Sequence, residues 1–198
     1  MLIIGLCGGS GSGKSTVARM LSLHNVLHVD TDAVYKEMIS SSSDCTAELE
    51  KEFGEEIINP DGSVNRKKLA EIVFSDKDKH TALNRISHRH VLDKVREIIS
   101  TAADHLAVCV DAPMLFESGF DKECDILVAV TSPISDRIKR IVERDNICVE
   151  DAEKRINAQL TDDKLISMVD FVINNDGNVS KLKASIDELV KLINNKLK

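Results

Sequence analysis

The strongest constraint on the fold is a glycine-rich stretch that matches the pattern GxxxxGK[ST] from Gly8 to Ser15. An apolar run, Leu2–Cys7, precedes it, and a helical pattern of apolar residues follows from Lys14. Glycines let successive backbone N–H groups point at one anion, and the start of the following helix adds positive potential. The motif in this context predicts a phosphate-binding loop for a nucleoside triphosphate. The alternative is a glycine-rich loop that binds no ligand.

The residue types in this loop give its positions expected roles. The Lys14 ammonium group would neutralise the β- and γ-phosphates, and the Ser15 hydroxyl would ligate Mg²⁺. The predicted nucleotide-binding residues of the loop are Gly9, Ser10, Gly11, Ser12, Gly13, Lys14, Ser15 and Thr16.

Five short apolar segments alternate with helical patterns along the chain. Such segments are typical of parallel strands that are buried on both faces and joined by right-handed crossovers. We therefore predict an α/β fold of the P-loop NTPase type, with a five-stranded parallel sheet and helices on both faces. The predicted strands are Leu2–Cys7, Val26–Val29, Leu106–Val110, Ile126–Val130 and Phe171–Ile173.

The segment 40–103 differs from the rest because it contains no strong strand pattern. Its apolar spacing predicts helices over Asp44–Phe53, from Asn65 to Phe74 and from Asp76 to Ala103, the last with a break near His88. For a chain of 198 residues, one domain with embellishments is the expected organisation.

Composition restricts the possible partners. A net charge of −7 argues against broad binding to nucleic acid or anionic lipid, because such binding needs positive charge to displace counterions. No apolar run approaches the roughly 18 residues that span a bilayer, and no export signal is visible, so the cytoplasm is the expected location. The five cysteines contain no CxxC pair and are expected to be reduced, with Cys7 and Cys109 in the core.

The loop alone does not separate kinases from other nucleotide-binding proteins. The NKxD and DxxG motifs of GTPases and the LSGGQ signature of transporter ATPases are absent from the sequence. A small phosphoryl-transfer enzyme fits these observations best. Two alternatives stay open, a nucleoside or small-metabolite kinase and a non-catalytic nucleotide-dependent switch protein.

Asp30-Thr31-Asp32 follows the second predicted strand, at the sheet edge where ligands of such folds bind. A carboxylate there could orient an acceptor hydroxyl and take its proton late in the reaction. Asp32 has a second role open to it, which is to cap the next helix. Asp30 is expected to be a cap or a supporting residue.

The helical pattern after residue 133 carries Arg137, Arg140 and Arg144. Arg140 and Arg144 share a face because they are four residues apart. Guanidinium groups suit a lid that closes over phosphates. The other interpretation is a solvated helix face whose charges are paired, for instance with Asp145.

The chain resembles the dephospho-CoA kinase family over nearly all of its length. Several short matches in the right order are more specific than the loop alone. They are Gly5–Val17, Asp30-Thr31-Asp32, Phe53-Gly54, Asp61-Gly62, Asn65-Arg66 with Leu69, Leu83-Asn84 with His88, Pro113-Met114-Leu115-Phe116-Glu117, Arg140 with Arg144, Ala158-Gln159, and Ile173-Asn174-Asn175-Asp176-Gly177.

The resemblance implies that the γ-phosphoryl group of ATP is transferred to the ribose 3′-hydroxyl of dephospho-CoA, in the last step of coenzyme A synthesis. It implies Asp32 as the base, with Lys14 and Arg140 as further catalytic residues. It makes Arg144 and Asn175 nucleotide-binding residues, with Asn175 beside the adenine.

The resemblance also implies a division of the domain. A core would span about 1–39, 104–139 and 166–198, a helical acceptor-binding subdomain about 40–103, and a small lid about 140–165. No nucleic-acid or membrane partner is expected, and a monomer is the expected state.

A few positions depart from the family pattern. Lys36 stands where arginine is frequent, Arg89 where proline is usual, and Asp136 where glutamine is frequent. Lys36 lacks the planar fork of a guanidinium group. Asp111 has the position of a Walker B acid, and the sequence leaves its part in Mg²⁺ binding open.

Overall fold

The parallel sheet predicted from the sequence is present in the computed structural model, which describes residues 1–74 and 76–198. Within these residues five strands form one sheet in the order β2-β3-β1-β4-β5. The strands are β1 (Leu2–Cys7), β2 (Val26–Asp30), β3 (Ala107–Asp111), β4 (Ile126–Thr131) and β5 (Phe171–Asn174).

The first strand occupies the middle of the sheet, with β3 and β4 parallel to it on either side. Every residue of β3 is buried, so both faces of the sheet are covered at this strand. This burial explains why the strands appear in the sequence as continuous apolar runs rather than alternating ones. The loop after β1 consequently starts at the middle of the sheet's carboxyl edge.

The α-helices of the described residues account for most of the remaining chain. They are α1 (Lys14–Ser22), α2 (Thr31–Met38), α3 (Asp44–Phe53), α4 (Arg66–Phe74), α5 (Lys77–Thr101), α6 (Ile134–Asp145), α7 (Val149–Asn157), α8 (Asp162–Ile166) and α9 (Val179–Lys196).

Helices α1 and α9 pack on the sheet through their apolar stripes. Val17 and Leu21 of α1 and Ile186 and Leu189 of α9 share one buried cluster with Ile4 of β1. These side chains recur at three- and four-residue spacing, which places them on a single face of each helix. The first turn of α1 is therefore fixed against the sheet directly beside the glycine-rich loop.

The chain divides into two compact units, residues 1–29 with 102–198, and residues 30–101. The second unit is helical and has its own core, which includes Leu49, Phe53 and Ile86. Ser43 begins α3 with a reciprocal capping box to Thr46. The Asn65 side chain accepts a hydrogen bond from the Lys68 backbone N–H at 3.1 Å, which confirms its predicted place at the start of α4.

The predicted break near His88 is wrong, because α5 runs without interruption from Lys77 to Thr101. No glycine or proline lies in this stretch to end a helix. Ile86, Val91 and Val95 stay buried on both sides of the expected break, so packing holds the helix together through it.

The region that follows β4 belongs to the first unit. Helices α6 and α7 pack together through Ile141, Ala152 and Ile156. Nowhere in residues 1–74 and 76–198 is a helix both long enough and apolar enough to cross a membrane.

Candidate active site

The glycine-rich loop links β1 to α1 and makes a tight turn at the start of the helix. Gly13, the residue before α1, has a φ of 99° and lies in the left-handed region, which favours glycine. A Cβ atom at Gly13 would also collide with Nδ2 of Asn175. Both restrictions explain the glycine at this position of the motif.

Lys14 folds back across the loop from the first turn of α1. Its Nζ donates a hydrogen bond to the Gly8 carbonyl oxygen at 3.0 Å and lies 4.0 Å from Oδ1 of Asp111. Both side chains are largely buried, with exposed fractions of 15% and 11%. The structure therefore places an ammonium group and a carboxylate together where β1 and β3 end.

The loop contains a buried hydroxyl, that of Ser12. Ser12 is 1% exposed, and within the described residues its Oγ atom has no hydrogen-bond partner. Buried polar groups usually have partners, so an unsatisfied one in a loop fits a site that receives a polar ligand. Ser15, by contrast, is exposed at the start of α1.

Two of the residues predicted from outside the loop contact its carbonyl groups. Arg140 Nη1 donates to the Gly11 oxygen at 2.9 Å and lies 3.4 Å from the Ser12 oxygen. Asn175 Nδ2 donates to the same Ser12 oxygen at 2.9 Å. Arg140 also donates to Ser132 Oγ at 3.0 Å, which anchors it to the end of β4.

Arg137 is a loop contact that sequence analysis did not place in the site. It is 3% exposed, and its Nε donates to the Ser10 oxygen at 2.9 Å. Its three-residue spacing from Arg140 puts both guanidinium groups on one side of α6, but the same rule selects Arg144, so no sequence signal singles out Arg137. Gln159, which belongs to the Ala158-Gln159 motif, accepts a hydrogen bond from the Ser10 backbone N–H at 2.8 Å.

Arg144 has other partners than Arg140 does. Its Nε and Nη2 donate to the two carboxylate oxygens of Asp145 at 2.7 and 2.9 Å, and Arg155 also binds Asp145. Its side chain is 60% exposed. Paired surface charges, the second interpretation of this helix face, describe Arg144 in this structure.

The charge cluster at Asp145 predicts a dependence of stability on pH. The hydrogen bond from Arg144, with further hydrogen bonding and charge from Arg155, lowers the pKa of Asp145 from 3.8 to about 2. A lowered folded-state pKa means that the stabilisation is present above the ordinary pKa and is lost as pH falls toward the folded-state value. We expect Asp145→Asn to be less stable than the parent chain near neutral pH.

Urea unfolding of the parent chain and of Asp145→Asn at several pH values measures this difference. The gap between the two midpoints should narrow as the pH is lowered from about 5 toward about 3. A gap that stays constant over this range would exclude the ion pairs as its cause.

The two acidic residues after β2 have different structural roles. The Oδ1 atom of Asp30 accepts hydrogen bonds from the backbone N–H groups of Asp32 and Ala33 at 2.9 and 3.2 Å. Asp30 is therefore the N-cap of α2, which is one of the two roles expected for it. Asp32 lies in the first turn of α2 and is exposed, so the capping alternative for Asp32 is wrong.

Arg89 stands at a position where proline is usual in the family. Both Arg89 and His90 bind the Glu48 carboxylate, and His90 Nε2 lies 2.7 Å from Glu48 Oε2.

Cys7 and Cys109 are buried in strands, as predicted, and burial raises the pKa of the Cys7 thiol to about 11.

Comparison with known proteins identifies the family. The dephospho-CoA kinase family model matches residues 2–181. Dephospho-CoA kinase of Thermobifida fusca is 34% identical over 189 residues, which cover 96% of this chain and 94% of that protein. Dephospho-CoA kinase of Fusobacterium nucleatum is 38% identical over 193 residues, covering 98% and 99%.

A solved structure shares the fold over the whole chain. The crystal structure of TT1252 from Thermus thermophilus superposes with a TM-score of 0.82 at 27% identity, and the match covers 100% of this chain and 98% of that one. The matches in sequence and in structure thus extend far beyond the glycine-rich loop. This chain belongs to the dephospho-CoA kinase family.

Proposed function

The reaction of this family is the ATP-dependent phosphorylation of dephospho-CoA, and we propose a role for individual residues of this chain in it. The loop from Gly9 to Thr16 holds the triphosphate, with backbone N–H groups such as those of Gly11 and Gly13 as donors to the phosphates. Lys14 neutralises charge on the β- and γ-phosphates, because phosphoryl transfer depends mainly on positioning and electrostatic stabilisation. The observation that carries this proposal is the loop itself, with Lys14 folded over it and the carbonyls of Gly11 and Ser12 held by other side chains.

Mg²⁺ is part of the same proposal, and the donor set fits it. Ser15 offers a hydroxyl at the start of α1, and Asp111 offers a carboxylate at the end of β3. Oxygen donors of this kind, few in number, are those that Mg²⁺ uses beside substrate phosphates. Bound there, the ion would neutralise charge on the phosphate oxygens.

Asp32 takes the role of the catalytic base in this proposal. Asp30 supplies the cap of α2, so the Asp32 carboxylate is not needed at the helix end. An ordinary aspartate is a weak base for an alcohol, but it needs only to orient the 3′-hydroxyl and accept its proton late. The helical segment 40–103 would bind the acceptor, and the segment 140–165 would act as the lid.

Arg140 and Asn175 act on the nucleotide side. Their side chains already bind loop carbonyls, which supports a role in shaping the phosphate site. The proposal keeps Asn175 near the adenine and Arg144 as a nucleotide-binding residue. In this structure Asp145 binds the Arg144 guanidinium group, so Arg144 would have to leave Asp145 in order to bind a phosphate group.

We also propose that the enzyme works as a cytoplasmic monomer.

The test is an acceptor assay with the purified chain, Mg-ATP and dephospho-CoA. We expect ADP and coenzyme A in equal amounts, with the new phosphate on the 3′-oxygen. Adenosine and nucleoside monophosphates serve as competing acceptors. Preferential phosphorylation of one of them would favour the alternative of a nucleoside or small-metabolite kinase. Tight ATP binding without transfer to any acceptor would favour the non-catalytic alternative.

A further inference from the structure

The buried Arg137 guanidinium group links three separate parts of the first unit. Its Nε donates to the Ser10 oxygen of the loop at 2.9 Å, and its Nη1 to Asp162 Oδ1 at 3.1 Å. Its Nη2 lies 3.4 Å from Gln159 Oε1. One side chain of α6 thus ties the loop to the end of the α7 segment and to the start of α8.

Both peptide groups of Ser10 are bound by this cluster. The Ser10 N–H donates to Gln159 Oε1 at 2.8 Å, while the Ser10 carbonyl accepts from Arg137. Gly9 packs so closely on Arg137 that a Cβ atom there would overlap the guanidinium group. A Cβ at Gly11 would lie 2.7 Å from the Arg137 backbone oxygen. The loop backbone from Gly9 to Gly11 therefore packs directly against Arg137.

The geometry of a trans peptide shows what this contact does. The C=O of one residue and the N–H of the next point in opposite directions, because the peptide unit is planar. With the Ser10 carbonyl held by Arg137, the Gly11 N–H points to the opposite side of the loop. With the Ser12 carbonyl held by Asn175, the Gly13 N–H does the same.

We infer that Arg137 is a positioning residue, which aims the Gly11 N–H at a nucleotide phosphate without touching the nucleotide. The inference rests on the proposed function, in which the phosphates lie on the amide side of the loop. Fixed donors stabilise an anion without the cost of reorganising them when it binds.

An arginine suits this position better than a lysine. The planar guanidinium group presents donors in several fixed directions, and here they reach Ser10, Gln159 and Asp162 at once. An ammonium group is a compact charge at the end of a flexible stem and cannot hold three acceptors in this geometry. Arg137→Lys therefore keeps the charge and removes the fork.

The test compares ATP and dephospho-CoA in steady-state kinetics and in direct calorimetric titration. For Arg137→Lys we expect the KM and Kd for ATP to rise about tenfold, as for the loss of one charge-assisted hydrogen bond. The KM for dephospho-CoA should stay within about twofold of the parent value, because the substitution affects only the loop that binds the ATP phosphates. Lys139→Gln, an exposed change on the same helix, is the matched control and should resemble the parent chain.

A second variant, Gln159→Ala, keeps the inference testable if Arg137→Lys does not fold. Gln159 is exposed, so Gln159→Ala releases the Ser10 N–H with little risk to the core. We expect it to weaken ATP binding in the same direction, and to have a smaller effect once Arg137 is already lysine. A lowered melting temperature with unchanged ATP affinity in both variants would show a purely structural role and overturn the inference.

The titration separates this inference from the proposed function. A parent chain that neither binds ATP nor phosphorylates dephospho-CoA would overturn the proposed function and this inference with it. A parent chain that binds ATP with the same affinity as Arg137→Lys and Gln159→Ala would overturn the inference alone.

Discussion

Asp32→Asn should lower the single-turnover rate of phosphoryl transfer by about 10²- to 10⁴-fold and change the affinity for ATP by less than about twofold. Asparagine keeps the size of the side chain but cannot accept the proton of the 3′-hydroxyl. The fold should survive, because Asp32 is exposed and Asp30 caps α2. Rapid-quench measurement of ADP formation with saturating Mg-ATP reports the chemical step.

The neighbouring carboxylate provides the control for this experiment. Asp30→Asn removes one negative charge two residues away, yet asparagine is as good a helix cap as aspartate. We expect its transfer rate to stay within about threefold of the parent rate, which is the size expected for a surface charge change near a site. An Asp32→Asn variant with an undiminished single-turnover rate would remove Asp32 from the role of base.

Lys14→Ala is expected to lower kcat by about 10²- to 10³-fold, the usual effect of removing one donor that stabilises transition-state charge. The ammonium group of Lys14 lies over the loop, where it donates a hydrogen bond to the Gly8 carbonyl oxygen. A weaker effect on the KM for ATP is expected, since the backbone N–H groups still hold the phosphates. Steady-state kinetics over a range of ATP concentrations separates the two parameters.

The fold of Lys14→Ala has to be checked separately, because the largely buried Asp111 carboxylate loses a nearby cation. Thermal unfolding by circular dichroism, followed with and without Mg²⁺, provides that check. Lys183→Ala, an exposed change on α9 and outside the proposed lid, is a control for the loss of one positive charge. Parent-like kinetics in a folded Lys14→Ala variant would contradict the proposed electrostatic role.

The sheet was predictable from the sequence because its strands are buried. The apolar runs Leu2–Cys7 and Ile126–Val130 were predicted as strands because such runs are typical of strands buried on both faces, and the structure places both in strands. The loop was predictable because its chemistry requires glycines at set positions. The helical segment was harder, and the expected break near His88 failed because packing around Ile86 and Val91 keeps α5 continuous.

The arginines show where sequence reasoning stops. Arg137, Arg140 and Arg144 are equivalent in a helical pattern, yet the first two bind loop carbonyls and the third binds Asp145. The difference arises from residues far away in sequence, since Ser10 lies 127 positions from Arg137. Periodicity predicts which side of a helix a residue occupies, but not which element packs there.

Asp30 and Asp32 illustrate an intermediate case. Either carboxylate could have capped α2, because both lie at the point in the sequence where this helix begins. The choice depends on where the helix starts, and boundaries are the least certain feature of a sequence prediction. The structure begins α2 at Thr31, which makes Asp30 the cap.

In the proposed mechanism the loop binds the triphosphate while Asp32 directs the sugar hydroxyl at its terminal phosphorus. A crystal structure with dephospho-CoA and a non-hydrolysable ATP analogue tests it most directly. We predict the 3′-oxygen within roughly 2.6–3.2 Å of an Asp32 carboxylate oxygen and in line with the γ-phosphorus. A ternary complex that holds the 3′-oxygen away from the phosphorus, with Asp32 facing solvent, would contradict this mechanism.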